Sequence, residues 1–342
     1  MKRFAPALVL LLLPVVFYLP AIVTSQTRER TVGPTRSEAD IKAEIIKTDV
    51  DLVNVDALVL QKNTARVVGN LAREDFIISE DGVNQSISHF SQDRLPLSVL
   101  LLIDRGGCLD PFGDEVRHAA LSALGQLKPA DEVAVMTYHD TVELQQEFTN
   151  DRRSIKYALD YVPPHDERAN HCLDTALLAA ADYMNKAANP SGRRVVIFIT
   201  GVTRNFDCPG SPSGKSATQS LFESGSVVCA IVPETPVQQM ENGMMVWATR
   251  FGRIGGAHTL DIQKLADETG GELLKDKPEN LNTTFTTLIE HLRTRYNIAF
   301  VSSNKKRDGS VRKLKVELAD ATKKTQEKLV VKARKSYVAP KG

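Results

Sequence analysis

The stretch "RLPLSVLLLID", residues 94–104, decides the fold. From Leu97 to Ile103 it is apolar at nearly every position over the length of one strand. A strand with one wet face would alternate, so this one is buried on both sides, as in a parallel sheet covered by helices. Its last residue is Asp104, followed by the small-residue loop "RGGCLD", 105–110, and a helix over about 113–127. That helix carries Val116, Ala119, Ala120, Ala123, Leu124 and Leu127 at helical spacing. A carboxylate at the carboxyl end of such a strand stands where open α/β sheets hold ligands.

Working outward, strands and helices alternate. "DEVAVMTYHD" (131–140) is a strand and "VELQQEF" (142–148) a short edge strand. "NDRRSIKYALDYV" (150–162) is a helix with Asn150 or Asp151 as N-cap. "CLDTALLAAADYMNKAA" (172–188) is an Ala-rich helix. "RRVVIFIT" (193–200) and "SVVCAIV" (226–232) are buried strands flanking the helix "GKSATQSLFESG" (214–225). "TLDIQKLADETGG" (259–271) is a helix stopped by Gly270-Gly271, "ELLK" (272–275) a strand, and "ENLNTTFTTLIEHLRTR" (279–295) a last helix. The pattern predicts an α/β domain over 94–294 with a doubly wound, mainly parallel sheet.

On either side the pattern is β. "VDLVNVDALVLQ" (50–61) alternates, "QKNTARVVGN" (61–70) reads as a turn and a second strand, and 73–93 holds two short strands around Asp81-Gly82. These make an N-terminal β module over 45–93. "YNIAFVSS", "SVRKLKVELA" and "EKLVVKARKSYV" make a three-strand element over 295–339. Either alone has too few strands for a good core, so the two are predicted to pair as one flanking β module.

The N-terminus carries Lys2 and Arg3, then the uncharged run 4–23, then small residues to Ser25. It reads as a secretory signal over 1–25, with an uncleaved membrane anchor over 4–23 as the alternative. A polar tether follows over 26–44. Either way the rest of the chain is expected to be exported, periplasmic or extracellular. The membrane then enters only through that N-terminal run. A net charge of +1 excludes a strong pull towards nucleic acid. In an oxidising compartment the four cysteines, Cys108, Cys172, Cys208 and Cys229, permit disulfides. Cys229 lies inside an apolar strand and reads as a buried free thiol.

Several motifs in one order carry a resemblance: "LAREDFIISEDGVNQSISHF" (71–90) leading into "PLSVLLLID", then "LADETGG" (265–271), then "RDGSVRKLKVEL" and "LVVKARKSYVAP" (307–340). Over about 50–339 the chain resembles the von Willebrand factor A (vWA) family, and more closely its vWA-related Acidobacterial branch. The resemblance implies a non-catalytic module that binds a protein partner. It also implies a metal-ion-dependent adhesion site, with Asp-x-Ser-x-Ser on a first loop, Thr on a second and Asp on a third. Mg²⁺ wants such hard oxygen donors. Here Asp104 matches the first Asp, but Gly106 and Cys108 stand for the two Ser, Asn170 falls near the Thr and Gly201 at the Asp. The site is therefore expected to be degenerate, with no metal or other cofactor and no evident small-molecule substrate.

Three cysteines fall on the three loops that would surround the ion. A disulfide across two of them would hold what a metal otherwise holds, stabilising by about 4 kcal/mol. Cys108–Cys172 is the first pairing and Cys108–Cys208 the second, with free thiols as the bland alternative. Three other readings were weighed. One is an adhesion module that still needs a divalent ion. Another is a Zn²⁺ site from Cys108, Cys172 and Cys208 with His165 or His171. The last is a thiol-dependent or hydrolytic enzyme using Cys108, His171 and Asp174. "GVTRNFDCPGSPSGKSATQS" (201–220) lacks the glycine spacing of a phosphate loop. "FGRIGGAH" (251–258) reads as a loop and Trp247 as a packing residue.

Overall fold

The computed structural model describes residues 52–106, 113–163, 170–189, 192–201, 204–206, 208, 210, 213–234, 239–240, 243–244, 259–325 and 328–342. The chain divides into Met1–Asp49 and Val50–Gly342, and all described residues lie in the second unit. The N-terminal apolar run, Cys108, His165, Trp247 and the loop 251–258 lie outside the described residues. No described helix is long and apolar enough to cross a membrane.

In chain order the strands are β1 (Leu52–Gln61), β2 (Phe76–Glu80), β3 (Val83–Gln85), β4 (Ile87–Ser91), β5 (Leu97–Asp104), β6 (Glu132–Tyr138), β7 (Val142–Thr149), β8 (Arg193–Ile199), β9 (Arg204–Phe206), β10 (Val227–Pro233), β11 (Thr259–Asp261), β12 (Leu273–Asp276), β13 (Tyr296–Val301), β14 (Val311–Leu318), β15 (Leu329–Ala333) and β16 (Ser336–Val338). The helices are α1 (Gly113–Leu124), α2 (Arg152–Asp160), α3 (Leu173–Met184), α4 (Gly214–Ser224), α5 (Ile262–Thr269), α6 (Leu281–Arg293) and α7 (Asp320–Thr325).

The central sheet has the order β12-β10-β8-β5-β6-β7 and is parallel except for the edge strand β7. Every residue of β5 is buried. Leu97, Val99, Leu101 and Ile103 pack with α1, α2 and α6. Leu100 and Leu102 pack on the other face with α3, α4 and α5. The two-faced apolar run thus becomes the middle strand of three layers, and Asp104 ends it on the parity that faces α3. Caps set the helix ends. Asp151, Ser213 and Asp261 accept from backbone N–H groups at the starts of α2, α4 and α5. Gly270 closes α5 at φ 80°, a left-handed conformation that glycine adopts without a side-chain clash.

The β strands on either side pair with each other. One antiparallel sheet runs β15-β1-β13-β4 and another β16-β14-β2-β3, each mixing N- and C-terminal strands. They enclose a shared core of Val55, Val59, Phe76, Ile78, Tyr296, Ile298, Phe300 and Leu314. Tyr296 Oη donates to Val68 O at 2.8 Å and accepts from Leu71 N at 3.0 Å, which satisfies its hydroxyl inside the core. Asp81 and Gly82, at φ 47° and 84°, make the tight turn between β2 and β3. The chain then crosses to the other sheet as β4, so 73–93 feeds both sheets.

Three readings of the sequence are corrected. "QKNTARVVGN" forms a turn and a single bridge, Leu60↔Val67, and Val68 serves the core without a strand. The C-terminal element has four strands, because the chain breaks at Arg334 and β15 and β16 join different sheets. The polar stretch between β14 and β15 holds the short helix α7.

The two halves meet through ions. Arg193 at the start of β8 has a side chain 1% exposed and grips Asp56 of β1, Nε to Oδ2 at 2.7 Å and Nη2 to Oδ1 at 3.1 Å. It also donates to Asn297 Oδ1 at 2.8 Å and to the Leu292 carbonyl. Burial disfavours the Asp56 charge, but Arg193 beside it, with Arg295 and Arg334 beyond, holds its carboxyl below the usual range. Asp56→Ala is expected to destabilise by about 3 kcal/mol, because it leaves the Arg193 charge buried and unpaired. A urea unfolding midpoint unchanged from wild type would overturn this account of the joint.

Candidate functional site

Between β5 and β8 the strand order reverses: β5 leads through α1 to β6 on one side, while β8 flanks it on the other. Such a switch point opens a crevice at the carboxyl ends of the strands. Asp104 ends β5 in that crevice, with its side chain fully enclosed. His171 Nδ1 lies 2.9 Å from Asp104 Oδ1 and 3.0 Å from Oδ2. Thr200 Oγ1, just past β8, donates to Oδ2 at 2.6 Å, and Gly106 N donates to Oδ1 at 2.9 Å.

The segment before α3 is tied down residue by residue. Asn170 Nδ2 donates to Asp140 Oδ1 at 2.6 Å. His171 meets Asp104. Cys172 N donates to His139 O at 3.1 Å, and Cys172 is disulfide-bonded to Cys208 with Cα atoms 5.5 Å apart. Asp174, buried in the first turn of α3, accepts from Cys208 N at 3.3 Å and Thr175 N at 3.0 Å. Arg105 N donates to Tyr138 O at 2.7 Å, and its guanidinium pairs with Glu143 at 3.2 Å.

The disulfide is a correction. It joins the second and third loops through Cys172 and Cys208, not Cys108 to either. The cause is the first turn of α3, where the buried Asp174 holds the Cys208 backbone directly over Cys172. With a sequence separation of 36, the bond stabilises by about 4 kcal/mol in the chain-entropy account. Both sulfurs are taken, so the Zn²⁺ reading has lost two of its thiolates. Cys229 is the buried free thiol expected, and burial pushes it up to about 11. The triad reading is corrected too: the carboxylate that His171 meets is Asp104, while Asp174 holds the third loop.

A glycine is required at 106. A Cβ built there would stand 2.2 Å from His171 Cε1 and 2.3 Å from Nδ1. The imidazole therefore fills the volume that a residue-106 side chain would use. Hard cations need carboxylate and hydroxyl lone pairs. Here both Asp104 oxygens already accept hydrogen bonds, from the Thr200 hydroxyl at 2.6 Å and the Gly106 N–H at 2.9 Å, with the His171 imidazole against both. Among the described residues, the hard oxygen donors at this point are the Asp104 carboxylate and the Thr200 hydroxyl, and they are hydrogen-bonded to each other. Sequence reasoning gave Thr200 no role and set His171 with Asp174, whereas the structure sets it against Asp104. Thr200 closing an apolar strand beside the crevice was the available signal. Gly201 is buried next to it.

Residues 99–203 match the family model described as von Willebrand factor type A domain. The match runs from β5 to just past β8, the middle of the six-stranded unit. Among similar solved structures is a von Willebrand factor type A protein from Catenulispora acidiphila, 10% identical, covering 86% of this chain and 75% of that one, TM-score 0.44. An aerotolerance-related membrane protein from Bacteroides fragilis is 16% identical over 57% of this chain and 98% of its own, TM-score 0.40. Proximal thread matrix protein 1 from the mussel byssus is 12% identical over 58% of this chain, TM-score 0.43, and the chain spans 49% of its length. No curated protein matches the chain.

Burial works against a charged His171, but its hydrogen bond to Asp104 and the charges of Asp104 and Asp140 raise its pKa above 6.5. A raised folded pKa contributes stability that is full below the ordinary imidazole value and lost as pH rises through the folded value. Wild type should therefore exceed His171→Gln in melting temperature by more at about pH 5.5 than at about pH 8.5. An equal difference at both would remove the ion pair from the account. Independently, Gly106→Ala should cost about 1–3 kcal/mol in wild type and much less in a His171→Ala background. Urea unfolding of the four proteins measures the coupling, and additivity would show that the ring does not occupy this space.

Proposed function

We propose that this chain is an exported, non-catalytic binding module that grips a protein partner without a bound metal ion. One observation carries the reading. The imidazole of His171 lies against both oxygens of Asp104 and over Gly106, an ionisable nitrogen base where the resemblance puts Mg²⁺. On this reading Asp104, Gly106, Cys108, Asn170 and Gly201 are the remnants of an adhesion site. His171, when protonated, supplies a positive charge, and the Cys172–Cys208 bond holds two of the three loops. The partner meets the loop surface itself rather than a shared cation.

Export is supported by the charged-then-apolar N-terminus over 1–25 and by a disulfide that oxidising compartments favour. The working division is a signal over 1–25, a tether over 26–44, the vWA-type domain over 94–294, and β modules over 45–93 and 295–339 that complete each other. A non-enzymatic role is what the resemblance to this family implies.

The test combines calorimetry and capture. Titrating Mg²⁺ into the full chain should give no saturable heat, and a partner captured from the native envelope should be retained equally with and without chelator. Saturable Mg²⁺ binding lost in Asp104→Ala, or capture abolished by chelator, would return the site to the metal-dependent class.

A further inference from the structure

One strand edge is left open where the two halves meet. β1 pairs with β13 from Leu52 to Ala57, but with β15 only from Ala57 to Gln61. The chain leaves β15 at Ala333, bridges from Arg334 to Thr269, and returns as β16 on β14 in the other sheet. Over Leu52–Asp56, β1 therefore has a strand neighbour on one side alone among the described residues. That bare edge borders two cavities of about 780 and 590 Å³, which share Leu52, Asn54, Gly225 and Arg334 in their walls. Leu52 is 48% exposed there.

Arg334 stands where β15 ends, its Nη2 3.7 Å from where a Cβ on Gly225 would be. Among the described residues its guanidinium has neither a hydrogen bond nor an ion pair. Burial lowers its pKa, offset only in part by Asp56. Asp56 is already gripped bidentately by Arg193, and the fully buried Arg295 also bears on it. Three guanidinium groups bear on this carboxylate, of which Arg295 also has Glu272. Further out, Lys305, Lys306 and Lys341 face a single acid, Glu223, in the larger cavity, while Arg312 is neutralised by Glu80 at 3.1 Å. A chain of net charge +1 thus concentrates positive charge in one cleft with low-dielectric walls, which focuses its field on anions.

We infer that this cleft docks an extended acidic segment of a protein partner. The segment adds as a strand beside Leu52–Asp56, in the line that β15 vacates, and sets a carboxylate on Arg334. The bare edge offers alternating N–H and C=O groups that another backbone matches, and the fork of Arg334 suits a carboxylate. A phosphodiester strand satisfies the arginine but not the edge. This rests on the reading of the chain as a protein-binding module and names where and what it binds.

The test uses the full chain and a fluorescein-labelled decapeptide of alternating Val/Thr and Glu, read by fluorescence anisotropy. The Glu peptide should bind at least about tenfold more tightly than its Gln counterpart, a preference erased by Arg334→Gln. A version N-methylated at alternate backbone positions should lose binding to wild type. These peptide comparisons hold even if the variant proves unstable. No binding of the Glu peptide overturns the inference, as does equal binding of the Gln or N-methylated peptide. Equal, Arg334-dependent binding of an oligothymidylate of matched charge also overturns it in favour of a general anion cleft. Envelope capture with loop-face variants is scored separately, so the module reading and this cleft fail by different measurements.

Discussion

A carboxylate with no solvent contact must receive charge and hydrogen bonds from its surroundings. Asp104 imposes that requirement on the whole loop face. It sits at the end of a strand buried on both sides, so no water reaches it from the sheet. A backbone N–H, a hydroxyl and an imidazole meet the requirement together. Each donor constrains something else. Gly106 must lack a side chain so that the ring can lie over it. His171 must be held in place, which Asn170 and Cys172 achieve through Asp140 and His139. The third loop must follow α3, which Asp174 and the disulfide ensure.

The β half answers a different problem with similar means. Its two sheets share an apolar core, but a polar cluster links β2, β14 and β16 to the residue just beyond β13. Glu80 accepts from Arg312 at 3.1 Å, from Tyr337 at 2.7 Å and from Ser302 at 2.6 Å. Burial disfavours the Glu80 charge, yet these donors keep its carboxyl below the usual range. A buried charge is tolerable only when its remaining lone pairs are satisfied. The cluster meets that condition for Glu80, as Arg193 does for Asp56 at the joint.

What was legible in the sequence followed from periodicity. β5 read as doubly buried because seven successive positions, Leu97 to Ile103, are almost all apolar, and burial on both faces leaves no other option. Asp104 was legible as the strand's end, and Gly270 as a helix stop. Partners were not. Alternation in β1 or β14 says which side chains face inward but not which strand lies alongside, so two mixed sheets had to be seen. The His171–Asp104 contact spans 67 residues and depends on where α3 begins in space. The disulfide was misassigned because Cys108 lies in the loop right after β5, whereas the geometry of the first turn of α3 selects Cys208. Four cysteines admit three full pairings, and spacing alone cannot choose among them.

The interleaving of the two ends has a kinetic consequence. β1 is synthesised well before both its neighbours, β13 and β15, which follow the whole α/β unit. The α/β unit between them contains its own parallel sheet and can assemble while β1 to β4 still lack their partners. During that interval the N-terminal strands present bare edges, the kind of surface that slow, non-local pairing exposes to wrong partners. The sandwich is therefore a late-closing clasp around a domain already formed.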